Sequence, residues 1–281
     1  MFNKLFLTKE NISKYNKLYP YNLSKYLPSI NDIPNLKFST SAIVGNGTIH
    51  LEHKLGSDID KKGIVIRMNR HFVKNYEEYV GFKTTLHFVN YPSIKKQNVV
   101  ETSQSKIIIF LDPAGKYQMY DLYKKYGYNY DNKLLLLIKP NIHYFIKSTF
   151  HNSLKKHIRI SHPTMGWYIS NIIMNLCDEI YLYGFNLTGG CGHYYYKEFN
   201  LNNPGDPCIS KGICRFGSES CSGKIKLKGN KTYHSIDIEY VLYLIYKCKK
   251  NKKIFFPQLN KKELEDVKNK LWKKNIKFIN V

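Results

Sequence analysis

Short, continuous apolar segments recur along the chain and limit the folds that it can adopt. They are bounded mainly by Pro, Gly or Asp and lie at 41–44, 64–67, 106–111, 134–138, 180–185 and 253–256. Strands with one face in water alternate apolar and polar residues, whereas continuous apolar strands are buried on both faces. The pattern therefore predicts an α/β fold with a mostly parallel central sheet flanked by helices.

The domain organisation follows from the chain length and the spacing of these segments. A chain of 281 residues with 43% hydrophobic residues can bury one large core, and no stretch breaks it cleanly, so we expect a single domain at 39–281. Residues 1–38 are polar and tyrosine-rich with several prolines, which predicts an arm of irregular structure or short helices packed on the domain. Helices are predicted at 164–178 and 235–248.

Residues 197–231 form a long segment rich in Gly, Ser and Lys, with little periodicity. Loops of this length are commonly functional or disordered. The segment is a candidate active-site lid, and an ordinary surface insertion is an equally good interpretation.

The chain is strongly basic, with a formal net charge of +23. Such a charge is typical of proteins that bind nucleic acid or membranes. Here the cations are 40 Lys against 4 Arg in a chain also rich in Asn, Ile and Tyr, all favoured by A/T-rich codons. We therefore expect a solvated lysine surface and no nucleic-acid partner, with attraction of anionic ligands as the alternative.

No stretch of the sequence reaches the roughly 18 to 20 apolar residues needed to cross a bilayer. The apolar part of residues 1–10 is also too short for a signal peptide, so we expect either a cytoplasmic or otherwise soluble protein or an anchor outside this sequence. The cysteines lack the paired short spacings of a zinc site, so a structural zinc is not expected. Free thiols are favoured, although Cys208, Cys214 and Cys221 can still pair in an oxidising compartment.

Two local patterns suit an anionic nucleotide. Gly45 follows the first apolar segment and permits a tight turn, while Asn46 offers both a donor and an acceptor to a ribose or phosphate oxygen. Pro163 blocks a helix before it, and Thr164 can cap the next helix and leave its first N–H groups for an anion. Each pattern alone is unspecific, and the glycine spacing is not that of the dinucleotide fingerprint.

Two histidines lie downstream of these patterns. His193 stands in Cys191-Gly-His-Tyr-Tyr-Tyr196, and His234 precedes a predicted helix. Two imidazoles can serve as acid and base near neutral pH, although a single histidine in an aromatic stretch is more often structural.

In this order, the motifs resemble those of the eukaryotic-type sialyltransferases, glycosyltransferase family 29. The resemblance runs from about residue 41 to about residue 240 and includes all four sialyl motifs. The large motif corresponds to Ser41-Ala-Ile-Val-Gly-Asn-Gly47, Gly56-Ser-Asp-Ile-Asp60, Ile64-Val-Ile-Arg-Met-Asn69 and Val80-Gly-Phe-Lys-Thr-Thr85. The small motif corresponds to His162-Pro-Thr-Met-Gly-Trp167, Leu176-Cys-Asp-Glu-Ile180 and Leu182-Tyr-Gly-Phe185, the third to His193-Tyr-Tyr195, and the very small one to His234 with Glu239.

This resemblance implies a GT-A-like, Rossmann-type domain that transfers sialic acid from CMP-sialic acid to a glycan hydroxyl, with inversion and without a metal or other cofactor. His234 is then the general base, and His193 stabilises the departing CMP phosphate. The donor-binding residues carried over are Gly45, Asn46, Asn69, Thr164 and Gly166. Candidates for the acceptor or the cleft are His162, Tyr194 and Tyr195.

The chain departs from the family pattern at several positions. Ser41 replaces the cysteine that usually pairs with the one at Cys177, so that disulfide cannot form. Met165 stands where the family often has Thr, and no N-terminal anchor typical of the family's Golgi members is seen. Asp58 and Asp60 have the spacing of a metal-binding pair but lie within the large motif, where the family works without metal.

Two other functions remain compatible with these residues. The same machinery suits another CMP-activated sugar acid such as Kdo, because the large motif would barely change. Ser41 and Met165 also suit a degenerate relative that only binds nucleotide or glycan, although both His193 and His234 are retained. The acceptor and the linkage depend on segments 86–160 and 197–231 and are not predicted.

Overall fold

The structure, a computed structural model, describes residues 2–19, 21–90, 93–94, 98–111, 116–152, 163–185, 226–227, 231–232, 253–259 and 262. Its centre is an eight-stranded sheet in the order β10-β7-β1-β2-β3-β4-β6-β5. Its strands are β1 (Phe38–Val44), β2 (Ile64–Met68), β3 (Leu86–Val89), β4 (Ile107–Phe110), β5 (Asn129–Tyr130), β6 (Lys133–Leu137), β7 (Cys177–Tyr183) and β10 (Lys253–Phe255). A separate two-stranded ribbon pairs β8 (Lys226–Leu227) with β9 (Lys231–Thr232).

Every pairing in the large sheet is parallel except that of β5 with β6. The mostly parallel α/β prediction is therefore confirmed. The helices of the described residues are α1 (Gly56–Asp60), α2 (Glu77–Val80), α3 (Val99–Thr102), α4 (Lys116–Tyr126), α5 (Pro140–Asn152) and α6 (Met165–Ile173), with 3₁₀ helices at Phe2–Leu5, Ile12–Tyr15, Tyr21–Tyr26, Ile30–Asp32 and Thr48–Glu52. In the part of the chain described, no helix combines the length and apolarity that a membrane span requires.

Burial on both faces explains why the strands are continuously apolar. Ile64 and Ile66 of β2 join a core with Trp167 of α6, whereas Val65 between them points to the opposite face and packs with Val80 of α2. Further along that opposite face, a third cluster contains side chains of α4. Because each side is covered, every residue of β2 and β3 is buried.

The N-terminal segment contributes to this core. Phe2 and Phe6 are fully buried and belong to the cluster that contains α6. The N–H of Leu7 donates to the carbonyl of Leu137 at the end of β6 (2.8 Å). The first residues therefore pack against the end of the sheet through both apolar and backbone contacts.

One predicted boundary is wrong. The helix expected at 164–178 ends at Ile173, because Cys177 already pairs with Phe38 as the first residue of β7. The intervening turn places β7 directly beside β1.

The strand order changes direction between β1 and β7. From β1, the chain adds β2, β3, β4 and β6 on one side, while β7 and β10 lie on the other. In open parallel sheets, ligands bind outside the carboxyl ends of the strands at such a switch point. Gly45 follows β1 and Gly184 follows β7, so both lie at this position.

Candidate active site

Two glycine turns meet at the switch point. The N–H of Gly45 donates to the Tyr183 carbonyl (2.7 Å), and the N–H of Gly47 donates to the Gly184 carbonyl (2.9 Å). A β-carbon at position 45 would lie 2.7 Å from the Gly184 oxygen, closer than real contacts allow. The turn after β1 therefore needs glycine because another backbone packs against it.

Asn46 lies at the tip of the first turn and is held by the neighbouring loop. Its Nδ2 donates to the carbonyl of Arg70, which follows β2 (3.0 Å). Its Oδ1 is buried and accepts no hydrogen bond from the described residues. A buried acceptor without a donor is costly, so this oxygen is suited to an N–H or O–H group of a ligand.

Asn69 begins the loop after β2 in a left-handed conformation, with φ of 51°. Its Oδ1 accepts the N–H of Asn90 (3.0 Å), and its carbonyl accepts Nε2–H of His87 (2.7 Å). The other nitrogen of that imidazole is 2.8 Å from the hydroxyl of Ser103, which acts as its donor. These contacts fix the Asn69 side chain and leave its Nδ2 without an acceptor among the described residues.

The N-terminus of α6 lies at the same edge of the sheet. Thr164 caps it as predicted, its hydroxyl accepting the N–H of Trp167 (3.3 Å). The described part of the chain offers no acceptor to the N–H groups of Met165 and Gly166. A β-carbon at Gly166 would lie 2.5 Å from the Phe185 ring, so the helix start packs on the residue that follows Gly184. This end of a nine-residue helix can receive an anion.

Buried cationic and imidazole groups lie beneath these loops. Arg67 of β2 is fully buried, and its guanidinium donates to the carbonyls of Val80 and Gly81 (2.8 and 3.0 Å). Burial, with a smaller contribution from the Arg67 charge, lowers the pKa of both His50 and His87 to about 4. At neutral pH the imidazoles are therefore neutral, and Arg67 supplies the positive charge.

Asp58 and Asp60 have separate partners. Asp58 accepts the hydroxyl of Tyr183 (2.5 Å) and pairs with Lys62 (2.9 Å). Asp60 accepts the N–H groups of Phe82 and Lys83 (3.0 and 2.9 Å). Asp58 thus joins α1 to β7, and Asp60 joins α1 to the segment that precedes β3.

The structure places all five predicted donor-binding residues at one edge of the sheet, linked through the turns after β1, β2 and β7. The predicted residues His193, His234, His162, Tyr194 and Tyr195 lie outside the described residues, as does most of segment 197–231. Cys177 is buried at the start of β7, and the Ser41 hydroxyl donates to the Glu179 carbonyl (3.3 Å). Sequence reasoning missed His50, His87 and Gln258, because none stands in a pattern that marks a site.

A family model described as "Glycosyltransferase family 29 (sialyltransferase)" matches residues 2–205. The chain belongs to this family. Among curated relatives, it is 30% identical over 166 residues to the Gallus gallus CMP-N-acetylneuraminate-beta-galactosamide-alpha-2,3-sialyltransferase 1, covering 56% of the chain and 47% of that protein. It is 25% identical over 205 residues to the Homo sapiens beta-galactoside alpha-2,6-sialyltransferase 1, covering 64% and 50%. The chain thus spans about half the length of these relatives.

The fold of this family 29 chain matches solved structures. It resembles a crystal structure of a mammalian sialyltransferase with a TM-score of 0.55 and 19% identity over 89% of both chains. A second mammalian sialyltransferase structure, in complex with Gal-beta-1-3GalNAc-ortho-nitrophenol, gives a TM-score of 0.56 at the same identity and coverage. At this identity, the likeness concerns the fold.

Proposed function

We propose that the protein transfers sialic acid from CMP-sialic acid to a glycan hydroxyl, with inversion and without a metal ion. Family membership supports the class of reaction, and the named activities of its relatives support the substrates. The observation that carries the proposal is the convergence of Asn46, Asn69 and the α6 N-terminus at the switch point of the sheet.

Each of these groups matches a part of the donor. The buried Oδ1 of Asn46 suits a hydroxyl or amino donor of the nucleoside, and Nδ2 of Asn69 suits an acceptor oxygen. CMP-sialic acid carries a phosphodiester and a carboxylate, and the N–H groups of Met165 and Gly166 suit one of these anions.

In the proposed reaction, the acceptor oxygen attacks C2 of the sugar while His234 takes its proton. The bond from C2 to the phosphate oxygen breaks, and CMP leaves with the electron pair. His193 donates a hydrogen bond to this phosphate, where negative charge grows in the transition state. In-line attack inverts the anomeric centre.

We also propose that the domain is GT-A-like over 39–281, with residues 1–38 as an arm and 197–231 as a lid over the acceptor. The contacts of Asp58 and Asp60 support metal independence, because each carboxylate already binds a neighbouring segment. Histidine and the helix N-terminus then stabilise the leaving phosphate in place of a cation.

The test is CMP release from CMP-Neu5Ac in EDTA, with and without a panel of galactosides. His234→Ala is the inactive variant, and His53→Ala is the matched control, since the partly exposed His53 side chain has no role in the proposed reaction. Acceptor-dependent release that survives EDTA and disappears only in His234→Ala is expected. Transfer from CMP-Kdo in preference to CMP-Neu5Ac would overturn the assigned sugar, and CMP binding without any transfer would assign a binding-only relative.

A further inference from the structure

A circuit of hydrogen bonds through the side chains of His50 and Gln258 joins the turns at Gly45 and Gly184. Nε2–H of His50 donates to the Gly45 carbonyl (3.0 Å), and Nδ1 accepts the amide N–H of Gln258 (3.2 Å). The Gln258 Oε1 in turn accepts the N–H of Gly184 (2.6 Å). Since the Gly45 carbonyl can only accept and the Gly184 N–H can only donate, this tautomer and amide orientation satisfy all the groups.

The circuit is buried and tightly packed. His50 is fully buried and Gln258 is 5% exposed, so water does not replace these bonds at low cost. A β-carbon at Gly184, whose φ is +71°, would lie 2.0 Å from Nε2 of His50. The imidazole therefore lies directly against the peptide backbone of the second turn.

The circuit also connects distant parts of the sequence. His50 belongs to the 3₁₀ helix Thr48–Glu52 after β1, whereas Gln258 follows β10, 208 residues later. Gly184 follows β7. The carboxyl ends of three strands are thus tied at the position where the proposed donor binds.

We propose that His50 and Gln258 are positioning residues that hold the turns at Gly45 and Gly184 in the geometry that receives the CMP-sugar. This inference rests on the proposed function. Asn46 directly follows the carbonyl that His50 holds, so a fixed turn presents its buried Oδ1 without ordering the loop at binding. Neither residue needs to touch the donor.

The test measures steady-state kinetics and thermal unfolding of the full chain with CMP-Neu5Ac. His50→Leu fills a similar volume but removes both hydrogen bonds of the imidazole. Gln258→Met removes the hydrogen bonds of the side-chain amide and leaves the imidazole in place. His50→Gln again offers a hydrogen-bond donor and an acceptor at position 50. His53→Leu, in the neighbouring partly exposed position, is the matched control. We expect His50→Leu and Gln258→Met to raise the donor KM about tenfold, with kcat and the acceptor KM within about twofold of wild type.

His50→Gln is expected to recover most of the donor KM, and His53→Leu to match wild type. A purely structural role would lower Tm without this selective rise, and that result would overturn the inference. Failure of His50→Gln to recover the donor KM would do the same, because the effect would then belong to side-chain volume. If His50→Leu does not fold, Gln258→Met decides. If the wild-type protein neither binds nor releases CMP, both the proposed function and the positioning role are refuted. If the wild type is active and the variants have its donor KM, only the positioning role is refuted.

Discussion

Gly184→Ala should be among the most damaging small substitutions in the chain. Two costs arise: the left-handed φ of +71° disfavours any side chain, and the new β-carbon would lie 2.0 Å from Nε2 of His50. The strain costs about 1 kcal/mol. Moving a fully buried imidazole away from its partners adds about 2 kcal/mol, so the free energy of unfolding should fall by about 3 kcal/mol.

Gly127→Ala separates these two costs. Gly127 has nearly the same φ, +68°, but no atom lies within 4 Å of the β-carbon position. It should therefore show the backbone strain alone, about 1 kcal/mol. Thermal unfolding followed by circular dichroism should give a Tm loss of roughly 2 °C for Gly127→Ala and roughly 5 °C for Gly184→Ala.

Equal Tm losses in the two variants would refute this reasoning, because the contact with His50 would then have no cost. A double variant extends the test. His50→Ala combined with Gly184→Ala should be about 2 kcal/mol less destabilised than the two single changes added together, since removing the imidazole relieves the shortest contacts and leaves only the one with the Gly45 oxygen (2.8 Å). Strict additivity would mean that the two residues do not collide.

Three further outcomes are expected. Because the pKa of His50 is about 4 when folded and near 6.5 when unfolded, its stabilising effect is complete above about pH 6.5 and is lost as the pH falls towards 4. When the pH falls from 6.5 to 5, the free energy of unfolding measured in urea should decrease by about 2 kcal/mol less for His50→Gln than for wild type. Equal decreases in the two proteins would exclude this imidazole as the group that titrates. Asn46→Asp should weaken CMP binding at least about tenfold in calorimetry, because it adds a negative charge beside an anion; unchanged affinity would contradict its placement. Asp60→Asn should cost about 1 to 2 kcal/mol in urea, since an amide cannot accept both the Phe82 and Lys83 N–H groups through two oxygens; an unaltered midpoint would show that these bonds contribute little.

Local pattern was enough to predict most of the sheet. The apolar segments of β1, β2, β4, β6, β7 and β10 each correspond to an observed strand. The strand β3 was missed because His87 interrupts its apolar run. The His87 side chain can be buried there because it forms hydrogen bonds with the Asn69 carbonyl and the Ser103 hydroxyl. The strand β5 has only two residues at the sheet edge, too few for any periodicity.

In the candidate site, too, some residues could be predicted from local sequence and others could not. Gly45 and Thr164 were predictable because a tight turn and a helix cap have local sequence requirements. His50 and Gln258 were not, because their significance lies in a contact between residues 208 positions apart. Nothing near either residue in the sequence indicates that contact.

The position of β1 in the middle of the sheet has a consequence during synthesis on the ribosome. Its partner β7 begins at Cys177, and β10, which brings Gln258, begins at Lys253. Until β7 emerges, β1 is an open edge with unpaired backbone groups, the kind of surface that other chains can pair with. Translation must therefore pass residue 258 before the turns at Gly45 and Gly184 are joined through His50. A chain released before that point has most of the sheet and the loop of Asn46, but it cannot complete the switch point.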